Sequence, residues 1–327
     1  MASDSASGPL DLVGGIVAHN EEGNIQAAIG SLLGQELGGS ARWLELWVVA
    51  SGCTDRTIER VREFARIDPR VRLIERPTRS GKAHALNEIF ERARGDLLVL
   101  LNGDACAEPG ALRELLKGVG DLPRPFAVMG RPVPPQSAGG GGLSGTVGLL
   151  WEVHAQVHQE TLTRGGGNHL SDELLLVSLP ILERLSSGTI NDGAFLGASL
   201  EGRGGTLRFA PAARVHIQVP ATVGGYLAQR RRIYAGHARV ARETGAVPTT
   251  FVSLALRHPR RAGRVLAQCW EIGHRRKHFP TLIGLEAIAL ALALWDGIPP
   301  RRDHVRWRRV VKSVGWERGS GNESFRT

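Results

Sequence analysis

Hydrophobic and polar positions along the first 130 residues alternate between two periods. Leu12–Ala18 is a short apolar run, and Ile25, Ala28, Ile29, Leu32 and Leu33 then recur at the spacing of one helix face. Leu44–Ala50 predicts a second strand, and Ile58, Val61 and Phe64 mark one face of a second helix. Val71–Ile74 predicts a third strand and Lys82–Arg94 a third helix. Leu97–Leu101 is wholly aliphatic, as suits a strand covered on both faces. Pro109–Lys117 predicts a helix with proline near its start, and Phe126–Met129 a fifth strand. Strands alternating with helices predict βαβ units, an α/β fold and a mostly parallel sheet.

The pattern breaks after residue 130. Arg131–Gly145, with Pro132, Pro134, Pro135 and a glycine run, reads as a loop. Leu149–Thr161 predicts a helix, Leu207–Ala210 and Arg214–Gln218 two short strands, and Tyr226–Thr244 a further helix. The remainder reads as helical and basic. Leu282–Trp295 is strongly apolar, but it is shorter than the roughly 20 residues of a membrane span and is interrupted by Glu286. It predicts a buried or interfacial helix.

Composition and charge sharpen this picture. Of 327 residues, 42% are hydrophobic, enough for a real core and against a disordered chain. The net charge of +9 is uneven: residues 229–327 hold 20 Lys and Arg against 7 Asp and Glu, while residues 1–228 hold 21 against 25. A basic C-terminal third predicts anionic partners, such as a membrane surface or phosphates. Arg275, Arg276, Arg301 and Arg302 flank the apolar segment as an anionic membrane surface would require. No nucleic-acid-binding module is recognisable, so nucleic acid is not an expected partner. Cys53, Cys106 and Cys269 form neither a disulfide framework nor a zinc spacing, which fits a reducing compartment. Met1–Leu10 lacks the basic and apolar regions of a secretory signal. The expected location is cytoplasmic, peripheral on the cytosolic face of a membrane.

In open α/β sheets, ligands bind at the carboxyl ends of the strands. Polar residues or glycines follow four successive predicted strands here: His19-Asn20-Glu21-Glu22, Ser51-Gly52-Cys53-Thr54-Asp55, Arg79-Ser80-Gly81-Lys82, and Asn102-Gly103-Asp104. Each taken singly also suits a helix cap or a solvated surface. Four in register favour a ligand of nucleotide size. Asp104 beside Gly103, after an aliphatic strand, suits a hard cation bridging phosphates.

These runs, with Arg56-Thr57, Gly81-Lys82-Ala83-His84-Ala85-Leu86-Asn87, Asn191-Asp192 and Gln229-Arg230-Arg231-Arg232, resemble in order and spacing a family 2 glycosyltransferase over about residues 11–237. The resemblance implies a GT-A fold: a Rossmann-like, mostly parallel sheet flanked by helices, here with a basic helical C-terminal extension. Residues 1–130 would be the nucleotide-sugar half, 131–245 the acceptor-binding and catalytic half, and 246–327 the extension, in contact with membrane. The donor would be a nucleoside-diphosphate (NDP) sugar bound by His19, Asn20, Glu21, Ser51, Asp55, Lys82, Asn102, Asp104, Gln229 and Arg232. The acceptor would be a glycan, a lipid-linked molecule or a small molecule.

The family's Asp-x-Asp motif falls on Asn102-Gly103-Asp104, with an amide in the first place. Asp104 is then the expected ligand of Mg²⁺ or Mn²⁺, with His216 a further candidate. Asn191-Asp192 matches the family's acidic pair, which makes Asp192 the expected general base of an inverting transfer; capping of the following helix is the alternative. Asp172 and Glu173 are competing carboxylates. Ile233 replaces the tryptophan of the family's Gln-x-x-Arg-Trp run, which points to non-processive transfer. Ala50 and Ser51 stand where many members carry base-binding acids, so GDP and dTDP remain open beside UDP. The other reading is a catalytically degenerate module that binds sugar nucleotide or membrane.

Overall fold

The computed structural model describes residues 8–120, 122–135, 142–163, 166–181 and 184–296. The first half runs β1 (Leu10–Ala18), α1 (Ile25–Leu33), β2 (Ala41–Ser51), α2 (Thr57–Ile67), β3 (Val71–Arg76), α3 (Lys82–Arg92) and β4 (Leu97–Asn102). Then come β5 (Cys106–Ala107), α4 (Ala111–Val119), β6 (Phe126–Val133), α5 (Gly142–Leu162), β7 (Leu174–Ser178) and α6 (Asp192–Gly202). The chain continues through β8 (Thr206–His216), α7 (Val223–Thr244), α8 (Phe251–Arg257), α9 (Pro259–Glu271), a 3₁₀ turn at Gly273–His278 and α10 (Phe279–Asp296).

The strands form one sheet in the order β3-β2-β1-β4-β7-β6-β8-β5. β1 to β4 pair in parallel, as the alternation predicts. Period-two side chains feed two cores: Leu12, Ile16, Val48, Leu97 and Val99 on one face, and Val13, Val49, Leu98 and Leu100 on the other. Helices cover both faces, which is why β4 tolerates no polar residue before Asn102.

β7 makes the sheet mixed. All five of its residues are buried, and it runs antiparallel between β4 and β6. Its Leu-Leu-Leu-Val run carries no alternation, and the sequence reading placed no strand there. The two short strands expected after residue 206 are one strand, β8, with a register shift against β6 between Met129 and Arg131.

Of the expected C-terminal extension, α8 to α10 are described; 297–327, with Arg301 and Arg302, lies outside the described residues. α9 packs on α5, and α10 lies along α7. Leu282 and Ala289 of α10 are buried, while Ile283, Ile288, Leu290 and Leu294 face outward. Glu286 fixes the helix at its middle. Its carboxylate accepts from Tyr226 Oη (2.5 Å), Tyr234 Oη (2.7 Å) and Arg230 Nε and Nη2 (2.8 and 2.7 Å). Arg231 pairs with Asp296 at the far end. By length and composition the segment Arg275–Asp296 could cross a membrane. A buried ion pair at its midpoint ties it along α7.

Candidate active site

The carboxyl ends of β1, β2 and β4 open into a cavity of about 580 Å³. Most of the expected site residues line it: His19, Glu21, Ser51, Lys82, Asn102, Asp104, Asp192, Gln229 and Arg232. The glycines let backbones approach there. A Cβ at Gly103 would lie 2.9 Å from the Val17 carbonyl oxygen; Gly52 has φ +61° and a Cβ there would meet Arg79 N at 2.7 Å.

Asn20 and Asp55 are not in the lining; they build the wall behind it. Asn20 sits at φ 57°, a conformation Asn adopts more readily than most residues, and its Oδ1 accepts from Thr54 N at 2.8 Å. Asp55 accepts from Thr57 N (3.0 Å) and Oγ1 (2.5 Å) and from Glu22 N (3.2 Å), tying the β1 loop to the start of α2. Asp55 is thus taken up by the turn before α2, whose N-cap is Arg56. The structure does not bring His216 into the lining either: at the end of β8 its Nε2 contacts Glu108 Oε1 at 2.9 Å.

At Asp192 the capping alternative fails for a specific reason. The N-cap of α6 is Asn191, whose side chain accepts from Ala194 N at 3.1 Å. The Asp192 carboxylate, 3% exposed, is thus left to the cavity. Its Oδ2 lies 3.5 Å from Lys82 Nζ, and its buried Oδ1 has no hydrogen-bond partner. Burial raises its pKa to about 6; Lys82 and Arg232 pull downward, and the charge of Asp172 adds to the rise.

Asp172 and Glu173, at the entrance to β7, sit in the same charge cluster. Lys82 ion-pairs directly with Asp172, which holds that carboxyl below its usual range although burial opposes it. Burial pulls the Lys82 ammonium down, but Asp172 and Asp192 outweigh it and the net shift is upward. Glu173 is pushed up to about 7 by burial and then by Asp172; Asn102 Nδ2 donates to its Oε2 at 2.5 Å. Arg79, the first residue of the polar run after the third strand, also lines the cavity. Its guanidinium and that of Arg232 are held below their usual pKa by burial.

A second chamber of the same cavity lies between α5, α7 and the C-terminal helices. His154, His158, His169 and His237 converge there: the His158 and His169 rings are 5.6 Å apart, and the His169 and His237 rings 4.9 Å. Burial holds His158 at about 3 and His169 at about 4, and pushes the other two well below the usual histidine range. All four imidazoles are therefore neutral at physiological pH. His237 Nε2 is buried without a partner. The sequence reading missed this chamber, because its residues come from four separate segments.

Among the described residues, no three His, Cys, Asp or Glu side chains form a ready-made metal cage. Asp104 and the Asn102 amide stand at the cavity edge, with Glu173 also in the lining and accepting from Asn102 Nδ2. That suits a hard divalent ion that completes its shell with phosphate oxygens and water.

Residues 15–170 match the family model described as Glycosyl transferase family 2. Glycosyltransferase AglD of Haloferax volcanii is 37% identical over 75 residues, 23% of this chain and 12% of that protein, so the chain spans only a small part of this relative's length. Among solved structures, a mannosyltransferase of Pyrobaculum calidifontis, in complex with GDP-Man and Mn²⁺, superposes with a TM-score of 0.61 at 19% identity. That match covers 90% of this chain and 88% of the other and shows a shared fold.

Proposed function

We propose that the chain, whose residues 15–170 match the model of Glycosyl transferase family 2, moves a sugar from an NDP-sugar to an acceptor hydroxyl or phosphate, with inversion. The observation that carries the reading is Asp192: a buried carboxylate with one oxygen unpartnered, facing a cavity at the carboxyl edge of the sheet. Such a group can take a proton from an acceptor hydroxyl, and a pKa of about 6 leaves it ionised at neutral pH. Lys82 and Arg232 bring positive charge to the same edge, where a diphosphate leaving group needs it.

Both solved-complex and family considerations suit a metal-bound donor: the Pyrobaculum relative holds GDP-Man with Mn²⁺. In this chain Asp104, with the Asn102 amide beside it, would hold Mg²⁺ or Mn²⁺. When bound, the ion neutralises charge on the diphosphate. His216, held by Glu108 outside the cavity lining, is left out of this ligand set. Ile233 lines the cavity without the flat face on which a growing chain would stack, which supports one sugar per acceptor. Nucleotide sugars as donors place the reaction on the cytosolic side.

The test is a thermal-shift panel of UDP-, GDP- and dTDP-sugars with and without Mn²⁺. Donor at 100 times Kd stabilises the fold by about 2.7 kcal/mol. A Mn²⁺-dependent shift with one nucleotide, followed by release of its diphosphate, is the expected result. A second reading, a donor-binding module without transfer, is favoured by the amide at Asn102. A donor shift with no release of nucleotide under any condition would select it.

A further inference from the structure

The lining of this cavity reaches the exposed face of the C-terminal helices. Val252, Leu266 and Ile283, from α8, α9 and α10, line the cavity and yet are 47%, 41% and 66% exposed. A cavity mouth rimmed by exposed aliphatic side chains is costly in water. The rim is continuous in sequence with further outward apolar residues, among them Leu256, Trp270 and Ile288. A contiguous exposed patch of this kind marks an interaction surface. Its surroundings are cationic: Arg257, Arg260, Arg264, Arg276 and Lys277 are exposed on the same helices. Of the three acids between residues 251 and 296, Glu286 and Asp296 are tied to α7. Apolar side chains within a cationic field match an anionic lipid surface.

Inside that mouth Arg230 and Glu286 neutralise each other, and the histidines beside them are uncharged. Four neutral histidines floor the chamber, and the unpartnered His237 Nε2 lies one helix, α7, with the cavity-lining Gln229 and Arg232. Two buried orphan atoms, Asp192 Oδ1 and His237 Nε2, thus line one continuous cavity whose far end is aliphatic. Buried polar atoms are normally paired, so each calls for a ligand group. A phosphate head would meet the ionised Asp192 and Asp172 and would demand charged imidazoles; a hydroxyl head meets neither conflict.

Resting on the transferase reading above, we propose that the acceptor is a membrane amphiphile with an uncharged, hydroxyl-bearing head, its hydroxyl at Asp192, its head against His237 and its hydrocarbon tail leaving through the Val252–Leu266–Ile283 mouth onto an anionic bilayer. In the transfer, the acceptor oxygen bonds to the anomeric carbon as the bond from that carbon to the diphosphate oxygen breaks. The electron pair leaves with the diphosphate, and the hydroxyl proton passes to the Asp192 carboxylate.

Two measurements on the full chain test this. In flotation with 3:1 phosphatidylcholine–phosphatidylglycerol vesicles, wild type binds and pure phosphatidylcholine binds at least tenfold less. Joint Val252→Asp, Leu266→Asp and Ile283→Asp reduces binding at least tenfold. Ile67→Asp, an equally exposed aliphatic on α2, leaves it unchanged. Wild type that stays unbound, or a triple variant that floats equally, overturns the surface. In the second measurement, decylglycerol below its micelle concentration, added with donor and Mn²⁺, raises the melting temperature. His237→Phe loses that rise, and decyl phosphate gives none. A rise with decyl phosphate alone, or with neither amphiphile, overturns the acceptor class. The donor-induced shift is read first in every sample: its absence in wild type sinks the transferase reading, whereas its presence without amphiphile binding sinks only this inference.

Discussion

Asp192→Asn isolates the proposed base with little change of shape. Asn191 keeps the cap of α6, and Lys82 keeps its pairing with Asp172, so the local frame survives. The substitution removes the capacity to accept a proton and the negative charge 3.5 Å from Lys82 Nζ. A positioned general base contributes about 10²–10⁴ in rate, or about 3–5 kcal/mol of barrier. The assay is release of nucleoside diphosphate from the donor, alongside a donor titration and a melting curve. Turnover should fall by that factor while donor affinity stays within about twofold. Wild-type turnover should also fall on the acid side, with a midpoint near pH 6, the value to which burial lifts this carboxyl. Stability moves the opposite way from activity. The folded-state pKa is raised above the ordinary 3.8, so the stability this group contributes is complete below that value and lost as pH rises through about 6. At pH 7.5 the asparagine variant should therefore melt no lower than wild type. Turnover within threefold of wild type, or a flat wild-type profile between pH 5 and 7, would refute the assignment.

Three further outcomes follow from the same geometry. Asp104→Asn should remove the Mn²⁺-dependent part of the donor thermal shift, and a shift that stays metal-dependent would move the ion to other ligands. Glu286→Gln leaves Arg230 buried without its counter-charge and should cost about 3 kcal/mol in a denaturant titration, as loss of one partner of a buried pair does. The Glu286 pKa is lowered by Arg230 against the pull of burial, so its contribution is present above the ordinary 4.5 and is lost as pH falls through the lowered value; the variant should be less acid-sensitive than wild type. Asn20→Ala gives up the bond to Thr54 N and leaves at φ 57° a residue that tolerates this conformation less readily than Asn, and it should lower stability by about 1–2 kcal/mol in the same titration; a change below 0.3 kcal/mol would show that the loop relaxes freely.

The parallel half of the fold was legible in the chain because its strands and helices differ in period. Leu97–Leu101 could only be a strand covered on both faces, and the polar groups that follow each strand had to gather at one edge once the strands ran parallel. The strand-end reading picked out Lys82 and Asp104, the family resemblance picked out Asp192 and Arg232, and all four line the cavity. β7 was not, since a five-residue aliphatic run has no period to read. Its antiparallel insertion brings Asp172 and Glu173 to Lys82 and Asn102, and so decides the charge around the base.

Tertiary structure alone also separated the helix cap from the carboxylate that faces the cavity. Asn191-Asp192 and Thr54-Asp55 look alike in sequence, but packing gives the first cap to Asn191 and leaves Asp192 facing a cavity, while Asp55 is consumed by Thr57 and Glu22. The neutral histidines could not be read from spacing, because His158, His169 and His237 meet only when α5, α7 and the loop before β7 pack together. Local sequence fixes periodicity, turn chemistry and total charge, which depend on near neighbours. Which polar atoms end up buried, paired or left over depends on contacts between distant segments, and that is where the chemistry of this protein was decided.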